Sequence, residues 1–403
     1  MGVILNVGQE RIRQEAVNWF FNSSEQVFEF AGEAGTGKTV LIYEILKSLG
    51  LKSYQYMPMA YTGKAAIVMR TRGFITARSI HSSLYEVVEV PDTMVNTMYG
   101  IPLKKKEFKK KTMIDPNICL FFIDEAWMVP KHMVKDILSF GVKVIVCGDF
   151  RQLPPVGDDP GFLTGSNVRY LTEKMRQAEN NPIIYLADRA TKGLPIHNGM
   201  YGNNVLVAND DEFCPEMVGY ADCILCGTNR TRDIMNKYVR QLARFTSEVP
   251  VLGERVICRN NNWDIAKDGI SLANGLDGTV VSYPDPSCFN GKTFKFNFML
   301  DIDNIVFYDI MANYQYFIAT FDEKQSLKEY GNRRYLEGEF FEFAYALTVH
   351  LYQGSECRRG IYIEEFLRPQ LQNALDYTGI TRFKEGMIYL KRKNKYVYIP
   401  QNK

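Results

Sequence analysis

Residues 32–39 read Gly-Glu-Ala-Gly-Thr-Gly-Lys-Thr. Glycines at this spacing let backbone N–H groups close around the oxygens of an anion with no Cβ in the way. Lys38 adds a point charge, and Thr39 adds a hydroxyl able to hold a hard divalent cation. This is the pattern of a phosphate loop, so Gly32, Gly35, Thr36, Gly37, Lys38 and Thr39 are expected to hold the phosphates of ATP with Mg2+. Asp124 and Glu125 close an apolar run, Cys119 to Ile123. Asp124 is placed to hold magnesium, largely through water, and Glu125 to orient and deprotonate an attacking water. A third run, Val142 to Cys147, leads into Gly-Asp-Phe-Arg-Gln-Leu-Pro-Pro-Val at 148–156. Gln152 can hydrogen-bond a γ-phosphate, and the two prolines stiffen the exit.

These groups need a scaffold that brings three strand ends together. Val27 to Ala31 is a short apolar stretch ahead of Gly32, and Leu41, Ile42, Ile45, Leu46 and Leu49 follow Thr39 at helical spacing, with Gly50 as a stop. Strand, glycine loop and helix therefore follow one another. The runs 119–123 and 142–147 are continuous rather than alternating, as in strands buried on both faces of a parallel sheet. Ligands of open α/β sheets bind past the carboxyl ends of such strands. A second set of apolar runs, Cys223–Cys226, Tyr345–Val349, Gly360–Ile363 and Gly386–Leu390, predicts another sheet. Between them, from Gly253 to Gly338, Asn-Gly and Asp-Gly turns and the alternation Phe294-Lys-Phe-Asn-Phe298 predict a small β-rich insertion. A shorter insertion, Val87 to Thr112, interrupts the first sheet.

Composition is compatible with an ordinary globular protein. The chain has 403 residues, 46% hydrophobic and 23% charged, with a net charge of +2, enough for about two to three domains. No apolar run is long enough to span a bilayer, and the first ten residues lack the pattern of a secretory signal. Eight cysteines in so long a chain do not suggest a disulfide scaffold, so a reducing cytoplasm is expected, of a bacterium or a phage-infected host. Cys223 and Cys226 have zinc-like spacing but lie on a predicted buried strand, which favours plain burial.

Taken together, the segments resemble superfamily 1 helicases of the RecD-like (1B) branch, with motifs in matching order from Gln9 to Lys384. The resemblance implies two RecA-like α/β domains: 1–86 with 113–170, and 171–252 with 339–403. It further implies an inserted hairpin at 87–112 and an SH3-like insertion at 253–338. Gln9 stands where the branch has an adenine-reading glutamine, with Gln14 as a competitor. Ala60-Tyr-Thr62-Gly63-Lys64-Ala-Ala and Ser79-Ile-His81-Ser are similar to segments that contact single-stranded DNA. Arg176, after Leu171, and Arg382, in Tyr377-Thr-Gly-Ile-Thr-Arg382, match arginines that reach the γ-phosphate. Ala344 to Glu356, with Thr348, His350 and Tyr352, looks like the segment coupling DNA to ATP. Leu351 and Tyr352 replace the branch's usual Lys-Ser, so Tyr352 either stacks on a base or packs. Trp127 packs beside the site or faces DNA.

Residues 104–111 hold six lysines, broken by Glu107 and Phe108. In the inserted hairpin these lysines could hold phosphates while Phe108 or Tyr99 meets the terminal base pair. The expectation is a monomeric ATP-dependent DNA helicase acting on single strands and single-strand/duplex junctions, moving five-prime to three-prime. Replication or recombination proteins are its expected partners. The alternatives are a translocase that remodels nucleoprotein without unwinding, and a nucleotide-dependent binding switch.

Overall fold

A computed structural model describes residues 4–96, 102–174, 181–283, 289–301, 304–329, 336–366 and 368–393. The chain divides into two compact units, Met1–Phe150 with Pro154–Glu173, and Arg151–Leu153 with Lys174–Lys403.

In the first unit, α1 (Val7–Asn22) precedes β1 (Val27–Gly32) and α2 (Lys38–Leu49). Then come β2 (Tyr56–Ala60), α3 (Gly63–Thr71), β3 (Arg78–Ser79) and α4 (Ile80–Leu84). A hairpin of β4 (Tyr85–Asn96) and β5 (Pro102–Lys110) precedes β6 (Leu120–Asp124), β7 (Lys143–Gly148) and β8 (Arg169–Leu171). The main sheet has the order β3-β2-β6-β7-β1-β8, and its pairings are parallel. Both faces are covered, which explains the unbroken apolar runs. Ile12, Trp19, Leu41 and Ile45 pack on Phe28, Phe30 and Phe122 on one face. Ile80, Met133 and Ile137 pack on Phe121, Ile123, Val144 and Val146 on the other.

The second unit contains β9 (Gly199–Tyr201), β10 (Val205–Asn209), β11 (Cys223–Cys226), β12 (Arg255–Cys258), β13 (Asn262–Lys267), β14 (Ile270–Leu272) and β15 (Asp277–Ser282). It continues with β16 (Thr293–Leu300), β17 (Val306–Asn313), β18 (Phe341–Phe343), β19 (Ala346–Thr348), β20 (Cys357–Ile363) and β21 (Phe383–Lys391). One sheet runs β19-β11-β20-β21-β10-β9, parallel except for β9. A second, antiparallel sheet runs β17-β16-β15-β12-β18. These are two RecA-like sheets with a hairpin and a β-rich insertion. In the inserted sheet Phe296 meets Phe341 edge-on at 5.1 Å, and Phe298 stacks on Phe307 at 5.3 Å. Asn297 sits among them at a register irregularity, bonded to Ser282 Oγ and to the N–H of Asp309. The alternation of residues 294–298 thus buries its asparagine as well as its phenylalanines.

Three expected boundaries shift. Leu171 lies on β8, in the first sheet, so the first unit continues to Glu173. The hairpin begins at Tyr85 rather than Val87. β18 lies beyond the expected end of the insertion at 338, yet it pairs with β12 inside the inserted sheet. An apolar exit strand looks the same in sequence whichever sheet it joins, which is why the first and last of these edges were misplaced.

Candidate active site

The first unit builds its site at the ends of β1, β6 and β7. Gly35 and Gly37 adopt left-handed backbone, φ 82° and 77°, which a side chain would resist. A Cβ on Gly32 would lie 2.4 Å from Thr36 Oγ1. Gly37 caps α2 without a side-chain acceptor, so the first N–H groups of the helix face the loop. Lys38 Nζ donates to Gly32 O at 2.7 Å and Glu33 O at 3.1 Å, drawing the ammonium across the loop. Gln9 is buried under it. Its Nε2 donates to Thr36 O at 3.1 Å, and its Oε1 accepts from Asn6 N in the capping box of α1. The competitor Gln14 is exposed and donates to Glu10.

Asp124 is held from two directions, accepting at Oδ1 from the Glu125 N–H at 2.9 Å and from the Cys147 thiol at 3.1 Å. Burial, and then Asp124 itself, push the Cys147 thiol well above its usual range, so it remains a neutral donor. The charges of Lys38, Asp124 and Glu125 all act on that thiol, which gathers them into one site. Glu125 has φ 51°, a left-handed conformation unfavourable for glutamate. Gly148 lets this turn close: a Cβ there would meet Ala126 N at 3.1 Å and Trp127 N at 3.2 Å. Trp127 packs half-buried on the same core as Tyr61 and Tyr85. Arg72 escaped the sequence reading. Its Nη1 lies 3.3 Å from Thr39 Oγ1, and the Tyr43 hydroxyl holds its carbonyl. No motif marks it, because it reaches Thr39 across 33 residues.

Other expected residues fall in the second unit. Gln152 is buried in the short segment 151–153 that belongs to this unit. The next residue is gripped on both sides: Leu153 N donates to Thr378 Oγ1 at 2.9 Å, and Leu153 O accepts from Gln353 Nε2 at 3.0 Å. Arg382 is buried, donating to Thr378 O, Ser355 O and Thr381 Oγ1. Arg176 lies outside the described residues, as does Tyr99. Cys223 and Cys226 are buried on β11, and burial raises the Cys226 thiol.

Two DNA-contact expectations in this unit fail on burial. Tyr352 is 4% exposed and its hydroxyl donates to Glu356 O, so it packs and does not stack on a base. Thr348 is also buried, and its Oγ1 accepts from Leu351 N in the turn after β19. His350 is half-buried, and burial lowers its pKa.

A feature without a sequence signal occupies the turn after β11. Glu365 is buried, and its carboxylate accepts from Gly227 N at 2.7 Å, Thr228 N at 2.8 Å, Thr231 Oγ1 at 2.6 Å and Thr228 Oγ1 at 3.1 Å. This turn opens the helix Asn229–Leu242, just as the phosphate loop opens α2. An internal carboxylate fills the anion position there.

Among the residues of the first unit expected to contact DNA, Thr62 and Gly63 are half-buried, and Thr62 Oγ1 caps α3. Lys64 is 4% exposed, in the first turn of α3 where Ala65, Ala66 and Ile67 are buried as well, so it does not present a cation to an external strand. His81 and Phe108 lie together with ring centroids 5.0 Å apart, flanked by Tyr85 and Tyr61. Phe108 pairs with Val87 near the root of the hairpin, 42% exposed, and not at its turn. Lys110 and Lys111 anchor that root, donating to Ser139 Oγ and Ser83 O.

A phosphate-loop site on one of two RecA-like units defines a P-loop nucleotide-binding protein. A family model described as an AAA domain matches residues 5–197. The chain is 29% identical to the ATP-dependent DNA helicase PIF1 of Saccharomyces cerevisiae over 36% of its own length and 17% of that protein. It is 25% identical to the ATP-dependent DNA helicase Pif1 of a Psychrobacter species over 62% of its length and 44% of that protein. The chain therefore spans less than half the length of these curated relatives. Its fold is similar to the crystal structure of Pif1 helicase from Candida albicans, with TM-score 0.54, 18% identity and coverage of 96% and 94%. It is likewise similar to Pif1 from Bacteroides in complex with ADP-AlF3 and single-stranded DNA, with TM-score 0.55, 16% identity and coverage of 99% and 95%. In sequence and in fold the chain is similar to Pif1 helicases.

Proposed function

We propose that this protein is an ATP-dependent DNA helicase that moves on single-stranded DNA, five-prime to three-prime, and separates duplex strands. The observation carrying this reading is the phosphate loop with Lys38 across it and Asp124–Glu125 beside it. The names of the relatives supply the nucleic-acid half.

The residues fit Mg-ATP. Lys38 exchanges two loop carbonyls for phosphate oxygens, and the open N-terminus of α2 adds its N–H groups. Thr39 and Asp124 would hold magnesium, which when bound neutralises phosphate charge. Glu125 takes the proton of the attacking water, and Gln152 bonds the γ-phosphate. Arg382 trades Ser355 O and Thr381 Oγ1 for phosphate, and Arg176 adds a second guanidinium. His81 and Phe108 offer ring faces to a base, while the hairpin serves as the wedge and the inserted sheet as its guide.

The decisive measurement is ATP hydrolysis with and without single-stranded DNA, for the wild type and Lys38→Ala. Strong stimulation that Lys38→Ala abolishes is expected. A wild type indifferent to DNA would sink the motor reading. Unwinding of duplexes with opposite overhangs tests polarity and distinguishes a helicase from a translocase that only remodels nucleoprotein.

A further inference from the structure

The end of α3 is pinned to the first turns of α2. The Arg72 N–H donates to Val68 O and Met69 O, which closes α3. Its carbonyl accepts from the hydroxyl of Tyr43, about one helical turn beyond Thr39 on α2. The Tyr43 ring stacks on Phe74 at 4.6 Å, and Phe74 is buried in the core that α2 and α3 share. Gly73 permits this approach: its φ is 99°, and a Cβ there would run into the Tyr43 hydroxyl. Arg72 thus meets α2 twice, through its carbonyl at Tyr43 and through Nη1, which donates to Thr39 Oγ1 at 3.3 Å. Both side chains of that second contact are half-buried, so solvent screens it only in part.

We propose that Arg72 is a positioning residue of the metal site, whose guanidinium competes with a divalent cation for Thr39 Oγ1. The proposal rests on the reading of Thr39 as a metal ligand. A guanidinium keeps its charge at every working pH. Two positive charges directed at one hydroxyl oxygen repel each other. Arg72 must therefore withdraw before Thr39 can serve a cation, and the lost contact is charged against metal affinity. Lys38 meets no such conflict, because its ammonium bonds the carbonyls of Gly32 and Glu33 and not Thr39 Oγ1. The anchorage at Tyr43 keeps the rival within reach of the hydroxyl, so Arg72 sets how much magnesium the site requires.

The test is titration of the full chain with Mn2+ at saturating ADP, free Mn2+ being read by electron paramagnetic resonance. Arg72→Ala should bind Mn2+ about fivefold more tightly than wild type, the worth of one charge-assisted contact no longer given up. Arg72→Gln keeps an N–H donor and drops the charge, and should tighten to the same degree. It also decides the matter if Arg72→Ala does not fold. Calorimetric affinity for ADP in EDTA should not rise in either variant, since no cation competes there. A merely structural role for Arg72 would loosen metal and nucleotide together, so the direction of the change separates the two. Wild type that takes up no Mn2+ with ADP would sink the metal reading of Thr39 and the proposal with it. Wild type that binds Mn2+ while Arg72→Gln binds it no more tightly would overturn the proposal alone. An equal gain in EDTA would overturn it as well.

Discussion

The thiol of Cys147, at the end of β7, donates to Oδ1 of Asp124, at the end of β6, across 3.1 Å. A neutral donor fixes the carboxylate without competing for its charge. Cys147→Ala should lower the turnover of ATP hydrolysis about two- to tenfold, the worth of one hydrogen bond from a weak thiol donor. Cys147→Ser should recover most of it. Steady-state kinetics across ATP and magnesium concentrations checks both, and a variant as fast as wild type would show that Asp124 holds its position unaided.

Gln9 joins the start of α1 to the phosphate loop through Thr36 O. Gln9→Ala removes that bond and half of the capping box. A loss of about 1–2 kcal/mol of stability is expected, read from urea unfolding of the whole chain. Nucleotide affinity should fall as well, since Thr36 loses its anchor.

His81 and Phe108 stand 5.0 Å apart, their rings tilted by 45°, beside the hairpin root. Phe108→Ala should weaken single-stranded DNA binding about tenfold, within the range of one base-stacking contact. ATP hydrolysis without DNA should be unaffected. Fluorescence anisotropy at fixed salt measures the first effect, and an unchanged affinity would remove Phe108 from the interface.

Asp376 lies buried on the helix that carries Thr378, accepting from the Tyr362 hydroxyl at 2.6 Å and from Gln372. Burial raises its pKa from 3.8 to about 7. The folded chain therefore holds this proton more tightly than the unfolded chain. The stabilisation is complete below about pH 4 and is lost as pH rises through about 7. Asp376→Asn keeps an acceptor for Tyr362 and removes the titration. Its melting temperature should exceed that of wild type by a few degrees at pH 8, and the gap should close towards pH 4.

The phosphate loop was legible in the sequence because its constraint is local: only glycine tolerates the backbone of Gly35 and Gly37, and the helix must begin at Lys38. The same holds for the buried runs of both sheets. Lys64 and Thr348 were misjudged, and Tyr352 was left open, because a motif gives a residue's position in the chain but not whether its side chain turns inward. Arg72, Gln353 and Glu365 act through bonds spanning 33, 200 and 138 residues. No spacing rule can see such partners, since they meet only after the sheets have formed.

Glu365 ties Gly227, Thr228 and Thr231 together from 134 to 138 residues away. Its replacement by alanine would leave four donors and Arg392 without their acceptor, and should cost about 3 kcal/mol or more in urea unfolding.

That same carboxylate has a stoichiometric meaning. The second RecA-like sheet keeps the turn and helix of a phosphate loop, but its own side chain supplies the anion. Among the described residues the phosphate loop is then the one chargeable seat for nucleotide, and equilibrium dialysis should count one per chain. A chain so built fires singly, with no second hydrolysis of its own to stagger against the first.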